Sequence, residues 1–473
     1  MSPNRHLGVD PGLPAGNPTP SFWQEPRSRS FRPQDNLPAA RDVVIIGSGI
    51  TGCSVAWHLL NNHVSLNVTI LEARDVCSGA TGRNGGRINC TAVQDFHKYS
   101  EIFGQSSAKE IVRFELAHYE SIRKTVESIG PELLSESELR WINAVSAVFT
   151  DQEVNAFRSM LKAFEDAFPD LRGHWQVVGR RTMASKYGMP RASGGLVGKA
   201  GAAWPYRMIH GIFEHLQTIC KERFSIASNT PVLSISRASD SNRPYLLRTK
   251  RGTIMAKHVV HCTEGHAAHL LPQLRGIIIP RRGQMTVQGG DQQMLRGRVE
   301  SFSLTIQGIF SYATTNARTG DIFIGGGDRE DRKYSMGRAS DAEEDLAALS
   351  YLSGVLQVVF GSQRGTMAPR VKSSWSGTLG CSIDDAPLVG MLPQELLERP
   401  AGSAISAEWI SAGYGGYGMV NAFLCGKYLV EMMLGLPNEL GLPRAYLLNS
   451  ARALDLIERR RIVVGGIGKQ AQM

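Results

Sequence analysis

Apolar residues recur along this chain at two spacings, every second position and every third to fourth, and the changes of spacing mark out its elements. The unbroken apolar run Val43–Ile46 predicts a buried strand, Cys53–Leu60 a helix, and Val68–Leu71 a second strand. Ile111, Phe114, His118, Ile122 and Val126 recur at helical steps and predict a long helix over 107–129. Val154, Phe157, Leu161, Phe164 and Phe168 repeat that stripe between a Thr150/Glu153 capping box and a terminating Pro169, with Leu139–Phe149 reading as a strand before them. A further helix is expected from Pro205 to Arg223. Strands then dominate: Val232–Ile235, the hairpin Tyr245–Thr249 and Thr253–Met255 turning through Arg251 and Gly252, and His258–Cys262. Ile277–Val287, Phe302–Ile306, Ile309–Ala313 and Asp321–Gly325 predict an antiparallel sheet. Helix returns over Asp341–Phe360, with Leu346, Leu349, Leu352 and Leu356 on one face. The last clear unit is Trp409–Met419, a strand running into a glycine-rich turn, followed by an apolar helix from about Val420 to Leu434.

The first strand ends in Gly47, Gly49 and Gly52, spaced G-x-G-x-x-G, and Glu72 closes the next strand 20 residues after the last of them. Strand, glycines, helix and acid in that order distinguish the motif from an ordinary glycine-rich turn. Gly47 makes the tight turn, Gly49 lets the backbone approach a pyrophosphate, and Gly52 lets helix pack closely on strand. The free N–H groups and positive dipole of the helix start face the phosphates, and Glu72 is placed to accept from a ribose hydroxyl pair. These residues imply a bound dinucleotide. The next loop, Cys77–Arg87, holds four glycines in eleven residues, which suits a backbone forced close to that ligand. The Trp409–Met419 turn sets another helix start where developing negative charge would be stabilised.

Composition narrows the classes. A chain of 473 residues with 42% apolar content suggests two domains, with interleaving left open. The net charge of +9 lies partly in the end segments, at Arg27, Arg29, Arg32 and Arg459–Arg461, and no like-charge run reaches five residues, so no nucleic-acid partner is expected. Seven scattered cysteines without C-x-x-C spacing point to reduced thiols in the cytoplasm. The apolar segment Val420–Leu436 is broken by Lys427 and Glu431, so no membrane partner is expected either. Residues 1–40, rich in Pro, Arg, Ser and Asn, read as a flexible or surface-wrapping arm that Phe22 and Trp23 could pin. His258, His261, Cys262, His266 and His269 cluster in sequence, but residues three apart on a strand point to opposite faces; no metal is expected.

The motifs together resemble the D-amino-acid-oxidase-like flavoproteins, the group that includes glycine oxidase and sarcosine oxidase, and within it the fungal FAD-dependent oxidoreductases. The resemblance rests on six ordered pieces: Asp42–Gly52, Ser78–Gly86, Val259–Gly265, Pro280–Gln284, Trp375–Gly377 with Asp384–Gly390, and Gly413–Gly418. It implies an α/β fold in which a Rossmann-type FAD-binding domain (41–99, 196–279 and 366–440) is interleaved with an α+β substrate domain on an antiparallel sheet (100–195 and 280–365), with 441–473 as a tail. FAD would lie with its pyrophosphate at Gly47, Gly49, Ile50, Thr51 and Gly52, its ribose on Glu72, and its adenine side at Val232. Ala80, Thr81, Arg83, Asn84, Gly85 and Gly86 would run along the pyrophosphate and flavin. Gly413, Gly415, Gly416, Tyr417, Gly418 and Met419 would face the flavin pyrimidine edge. The position of the sarcosine oxidases' carboxylate-binding lysine is Val420, and that of their arginine falls near Asn89, with Arg87 close by. Their covalent-flavin cysteine aligns near Gly377, four residues from Cys381, so FAD is expected to be non-covalent.

The chemistry implied is oxidation of a C–N bond of an amine or amino-acid-like small molecule by hydride transfer to flavin N5. Candidate substrate contacts are Tyr417, Arg282, Arg370, Trp375 and Tyr312, the arginines because a guanidinium fork matches a carboxylate. Two other readings stand beside this one: an NADPH-dependent flavin hydroxylase and a non-catalytic flavin-bearing scaffold. The sequence leaves the oligomeric state open.

Overall fold

The computed structural model describes residues 7–25, 37–238, 242–289, 300–316, 318–329, 335–361, 370–437 and 441–470, so Arg27, Arg29 and Arg32 lie outside the described residues. Among these, two large sheets form. The first is centred on Ala40–Ile46, which pairs in parallel with Val68–Leu71 on one side and Gly252–His261 on the other. A strand flanked this way is covered on both faces, which is why Val43–Ile46 is apolar without alternation and buried throughout. Phe224–Ala227 extends the sheet at one edge, and Glu408–Ala412 with Leu388–Met391 at the other. The helix Ile50–Asn62 packs against Ala422–Leu434. Gly426 permits the approach, since a Cβ there would sit 2.7 Å from the Ser54 side chain.

The expected pair of strands Thr253–Met255 and His258–Cys262 is one strand, Gly252–His261. It begins antiparallel to Tyr245–Thr249 and continues parallel to Ala40–Ile46. No glycine or proline interrupts 253–261, so the strand changes neighbours instead of ending.

The second sheet runs from Arg370–Ser382 through Ile278–Gly289, Ile322–Arg329, Ile309–Thr315, Glu300–Ile306, Arg140–Val148 and Gly194–Ala202 to Arg87–Ile88. Its pairings are antiparallel except that Glu300–Ile306 runs parallel to Arg140–Val148. Arg370–Ser382 belongs to this sheet through a long ladder with Ile278–Gly289. Gly194–Ala202 escapes the sequence pattern because glycines stand where strand side chains would; Trp175 occupies the space at Gly198 and Tyr119 that at Gly201.

The long helix spans Ala92–Ile129, with its backbone broken at Gly104 (φ 79°), and the break hides its first half from a periodicity search. The Thr150/Glu153 capping box forms and opens the helix Asp151–Ala167. Leu346–Phe360 starts later than expected because the Asp345 side chain caps it, accepting from the backbone N–H of Ala347 and Ala348. Leu346 is consequently exposed while Leu352 and Leu356 are buried. Within 441–473 a helix forms over Ser450–Gln470, docked by an ion pair of Arg452 with Asp384 at 3.0 Å. All seven cysteines are buried and free, and among the described residues no helix is long and apolar enough to cross a membrane.

Candidate functional site

A cleft runs across the carboxyl ends of the parallel strands, lined by Gly47, Glu72, Cys262 and Glu264, at the point where the chain has moved to opposite sides of its first strand. The three motif glycines have separate reasons. At Gly47 φ is 107° and a Cβ would lie 2.5 Å from the Cys262 carbonyl oxygen. At Gly52 a Cβ would enter the Gly47 carbonyl. At Gly49 it would meet only Thr81 Oγ1, at 3.0 Å, and the remaining space is the cleft. The fold therefore demands the outer two, while the middle one keeps the cleft open.

Glu72 lines the cleft and accepts from Ser48 N (2.9 Å), Ser48 Oγ (2.6 Å) and Arg74 N (3.0 Å), which fixes its carboxylate at the strand end. Ile50 N donates to Thr81 Oγ1 at 2.9 Å, tying the helix start to the second glycine loop. Thr51, Val232, Ala80, Thr81 and Asn84 also line the cleft. Arg83 does not: its guanidinium turns back to Ser78 O (2.9 Å), Ser376 O (2.8 Å) and Asp341 (3.3 Å). Gly85 and Gly86 give room to the rings of Tyr312 and Trp23 respectively, so their part is to let the loop pass between aromatic side chains.

At the other end, Gly416, Gly418 and Met419 line the cleft beside Tyr414, in a turn with positive φ at Gly415 and Gly416. Gly413 sits behind the turn and donates its N–H to Glu264 at 2.9 Å. Tyr414 N (3.2 Å) and Gly380 N (3.0 Å) donate to the same carboxylate. Burial pushes the Glu264 carboxyl up to about 7, and these three donors oppose the rise. Glu264 lies inside the segment Val259–Gly265, where no spacing distinguishes it; its character comes from two distant glycine-bearing segments that turn their N–H groups to it.

A second group of part-buried side chains gathers from distant segments: Arg87, Tyr312 and Tyr417. The Arg87 guanidinium stands 5.3 Å from the Tyr312 ring centre, and donates to Ser303 Oγ at 2.8 Å and Phe302 O at 3.4 Å. Its Nε is buried without a partner, and among the described residues no carboxylate pairs with it. Burial pulls its pKa down to about 10, against the influence of Tyr312 and Tyr417. The sequence signal for Arg87 is its place as the last residue of the glycine loop and the first of the strand Arg87–Ile88.

Behind Tyr417 lies a buried acid pair. Tyr417 OH donates to Asp95 at 3.4 Å and Thr91 Oγ1 to the same carboxylate at 2.6 Å; Glu115 accepts from Asn421 Nδ2 (3.0 Å), Cys90 Sγ (3.3 Å) and Tyr99 OH (3.4 Å). Ligating atoms of Cys90, Asp95 and Glu115 all fall within 4.8 Å of one another. Burial pushes Asp95 up to about 6, and burial followed by the charge of Asp95 pushes Glu115 up to about 8.

The remaining sequence candidates sit elsewhere. Trp375 is fully buried, donates Nε1 to Arg83 O at 2.8 Å and packs edge-on against Phe323. Arg282 pairs with exposed Glu343 at 3.1 Å, and Arg370 is exposed at a strand start. None of the three lines the cleft. The histidines serve separate partners: His261 faces Glu408 at 2.9 Å, and His258 Nδ1 accepts from Ala407 N at 3.2 Å. His266 and His269 bind residues 10–12.

The cleft fits a dinucleotide. It offers a helix start, a glycine that leaves space where a side chain would stand, and an acid at the end of the second strand. The family model described as FAD dependent oxidoreductase (DAO) matches residues 42–432. Probable oxidoreductase OrdL of Rhizobium meliloti is 22% identical over 421 residues, covering 86% of each chain. Glycine oxidase from Geobacillus kaustophilus superposes with a TM-score of 0.67 at 16% identity, covering 87% of this chain and 99% of its own. L-proline dehydrogenase from P. horikoshii superposes with 0.64 at 17% identity, covering 85% and 96%.

Proposed function

We propose that this chain, which belongs to the FAD-dependent oxidoreductase (DAO) family, oxidises a C–N bond of a small amine that also carries a carboxylate. FAD, when bound, supplies the two-electron acceptor. The helix start at Gly49 and Thr51 would hold its pyrophosphate, Glu72 its ribose hydroxyls, Val232 its adenine side, and the Gly415–Met419 turn its pyrimidine edge. Binding is non-covalent.

The observation that carries the substrate reading is Arg87, a part-buried guanidinium between two tyrosines that lacks an anionic partner among the described residues. A guanidinium fork matches a carboxylate, and partial burial strengthens that pairing relative to water. Tyr312 and Tyr417 wall the amine-bearing carbon and keep bulk water from it. The names of the two superposed enzymes, glycine oxidase and L-proline dehydrogenase, each specify an amino acid, and that chemistry agrees with the reading.

The test is anaerobic bleaching of the bound flavin by a panel of amines and amino acids. Amino acids should bleach it and their decarboxylated counterparts should do so far more slowly, with Arg87→Ala removing the difference. Equal rates for both classes, or bleaching by NADPH alone, would sink the proposal.

A further inference from the structure

We infer that residues 10–14 form a strap across the adenosine end of the cofactor cleft, adding to FAD retention without contributing to the redox step. The inference rests on the proposed placing of the adenosine half at Glu72 and Val232. Gly12, Leu13 and Pro14 line the cleft together with Glu72, Arg74 and Val232, and the next residue, Ala15, is bonded by Arg74, two positions after Glu72. The matched family model begins only at residue 42, so this wall lies outside the segment shared with the family.

The strap is pinned on both sides. On its upstream side Asp10 pairs with Arg275 at 2.7 Å and His269 at 3.0 Å, both part-exposed. At its centre His266 Nδ1 lies 3.0 Å from Gly12 O, and Arg74 donates to Ala15 O at 3.1 Å. Downstream the chain is anchored deeply: Trp23 is buried and stacks on Phe323 with ring centres 3.8 Å apart, and Trp204 Nε1 donates to Trp23 O at 2.7 Å. The upstream end is thus held by part-exposed ion pairs, and the chain is fixed again by Thr19, whose N–H donates to Asp341 O at 2.9 Å, and by Trp23. Surface ion pairs such as those of Asp10 are the contacts most easily exchanged for water. Covering the ligand's end slows its escape because the pins must break first.

The test uses the full chain, a chain lacking residues 1–14 that keeps the Trp23 anchor, and Asp10→Ala. Dissociation constants and release rates are measured by flavin fluorescence for FAD and for FMN, which has no adenosine half. The truncated chain should lose FAD affinity by at least about tenfold and Asp10→Ala by less, both releasing FAD faster, while FMN affinity stays unchanged. FMN binding also reports that the truncated chain is folded. Full-chain FAD release rates in both variants would overturn the strap, and an equal loss of FMN and FAD in Asp10→Ala would overturn its placing at the adenosine end. These constants do not depend on amine oxidation, so the substrate proposal and the strap fail separately.

Discussion

The cofactor cleft and the Arg87 patch adjoin the same glycine loop but are made differently. The end of the cleft at the first strand is shaped by backbone: Gly47 and Gly49, the helix start after them and the strand end at Glu72, contributed by two short contiguous segments. The patch is made of side chains, Arg87, Tyr312 and Tyr417, brought together from separate parts of the chain by the second sheet and the turn after the first. Backbone recognition suits a ligand that stays the same across many enzymes, while side-chain recognition can be revised one residue at a time. Substitutions should therefore separate cofactor binding from substrate choice.

The largest separation is expected at Gly49. Gly49→Val fills the cleft and meets little else than Thr81, so FAD affinity should fall by on the order of a hundredfold or more, about 2.7 kcal/mol, with the thermal midpoint of the apoprotein unchanged. An equal drop in that midpoint would show that Gly49 serves the fold, as Gly47 and Gly52 do. Next is Arg87→Ala, which should keep the yellow flavin and lower kcat/KM for amino acids by about 2–3 kcal/mol, on the order of a hundredfold. Loss of flavin in that variant would merge the two regions and break the comparison. Tyr417→Phe removes one hydroxyl and should cost about 1 kcal/mol in kcat/KM, roughly fivefold, with FAD affinity unaltered.

The smallest effect lies in the pH dependence of stability. Glu115 rises to about 8 and Asp95 to about 6, so the folded chain holds protons that the unfolded chain has released. Their contribution is full below about pH 4 and is lost as pH rises through 6 and then 8. Lys98 opposes the shift at Asp95, and Cys90, Tyr99, Tyr417 and Tyr446 surround the pair. Glu115→Gln should flatten the decline of the thermal midpoint between pH 5 and 8, and an unchanged slope would remove Glu115 from the account. Glu408 behaves oppositely: burial raises it, but Arg399 and His261 outweigh burial and hold it down to about 2. Its contribution is present above about pH 4.5 and lost only as pH falls through 2.

The same contrast explains what could be read from sequence. Gly47, Gly49 and Glu72 are legible because the cleft uses neighbours at fixed spacing, Gly52 because the helix packs on the turn beside it, and Val232 follows from the resemblance. The patch was less legible: Tyr417 lies in a motif, but Arg87 gains its character only when folding brings Tyr312 against it. Trp375 bonds to the glycine loop and Arg282 to exposed Glu343, partners that motif spacing alone does not reveal. Gly194–Ala202 was hidden because its packing partners, Tyr119 and Trp175, lie elsewhere in the chain. The start at Ala92 was hidden by the turn of the backbone at Gly104.

Glu264 fastens the two halves of the molecule to one another. Gly380 belongs to one sheet and Gly413 with Tyr414 follow a strand of the other, and a single carboxylate gathers amides from both, beside a direct bond from Gly415 N to Gly380 O at 2.7 Å. Swinging the sheets apart would strand those donors and the carboxylate that gathers them, so the cleft and the junction of the sheets are held by the same side chain.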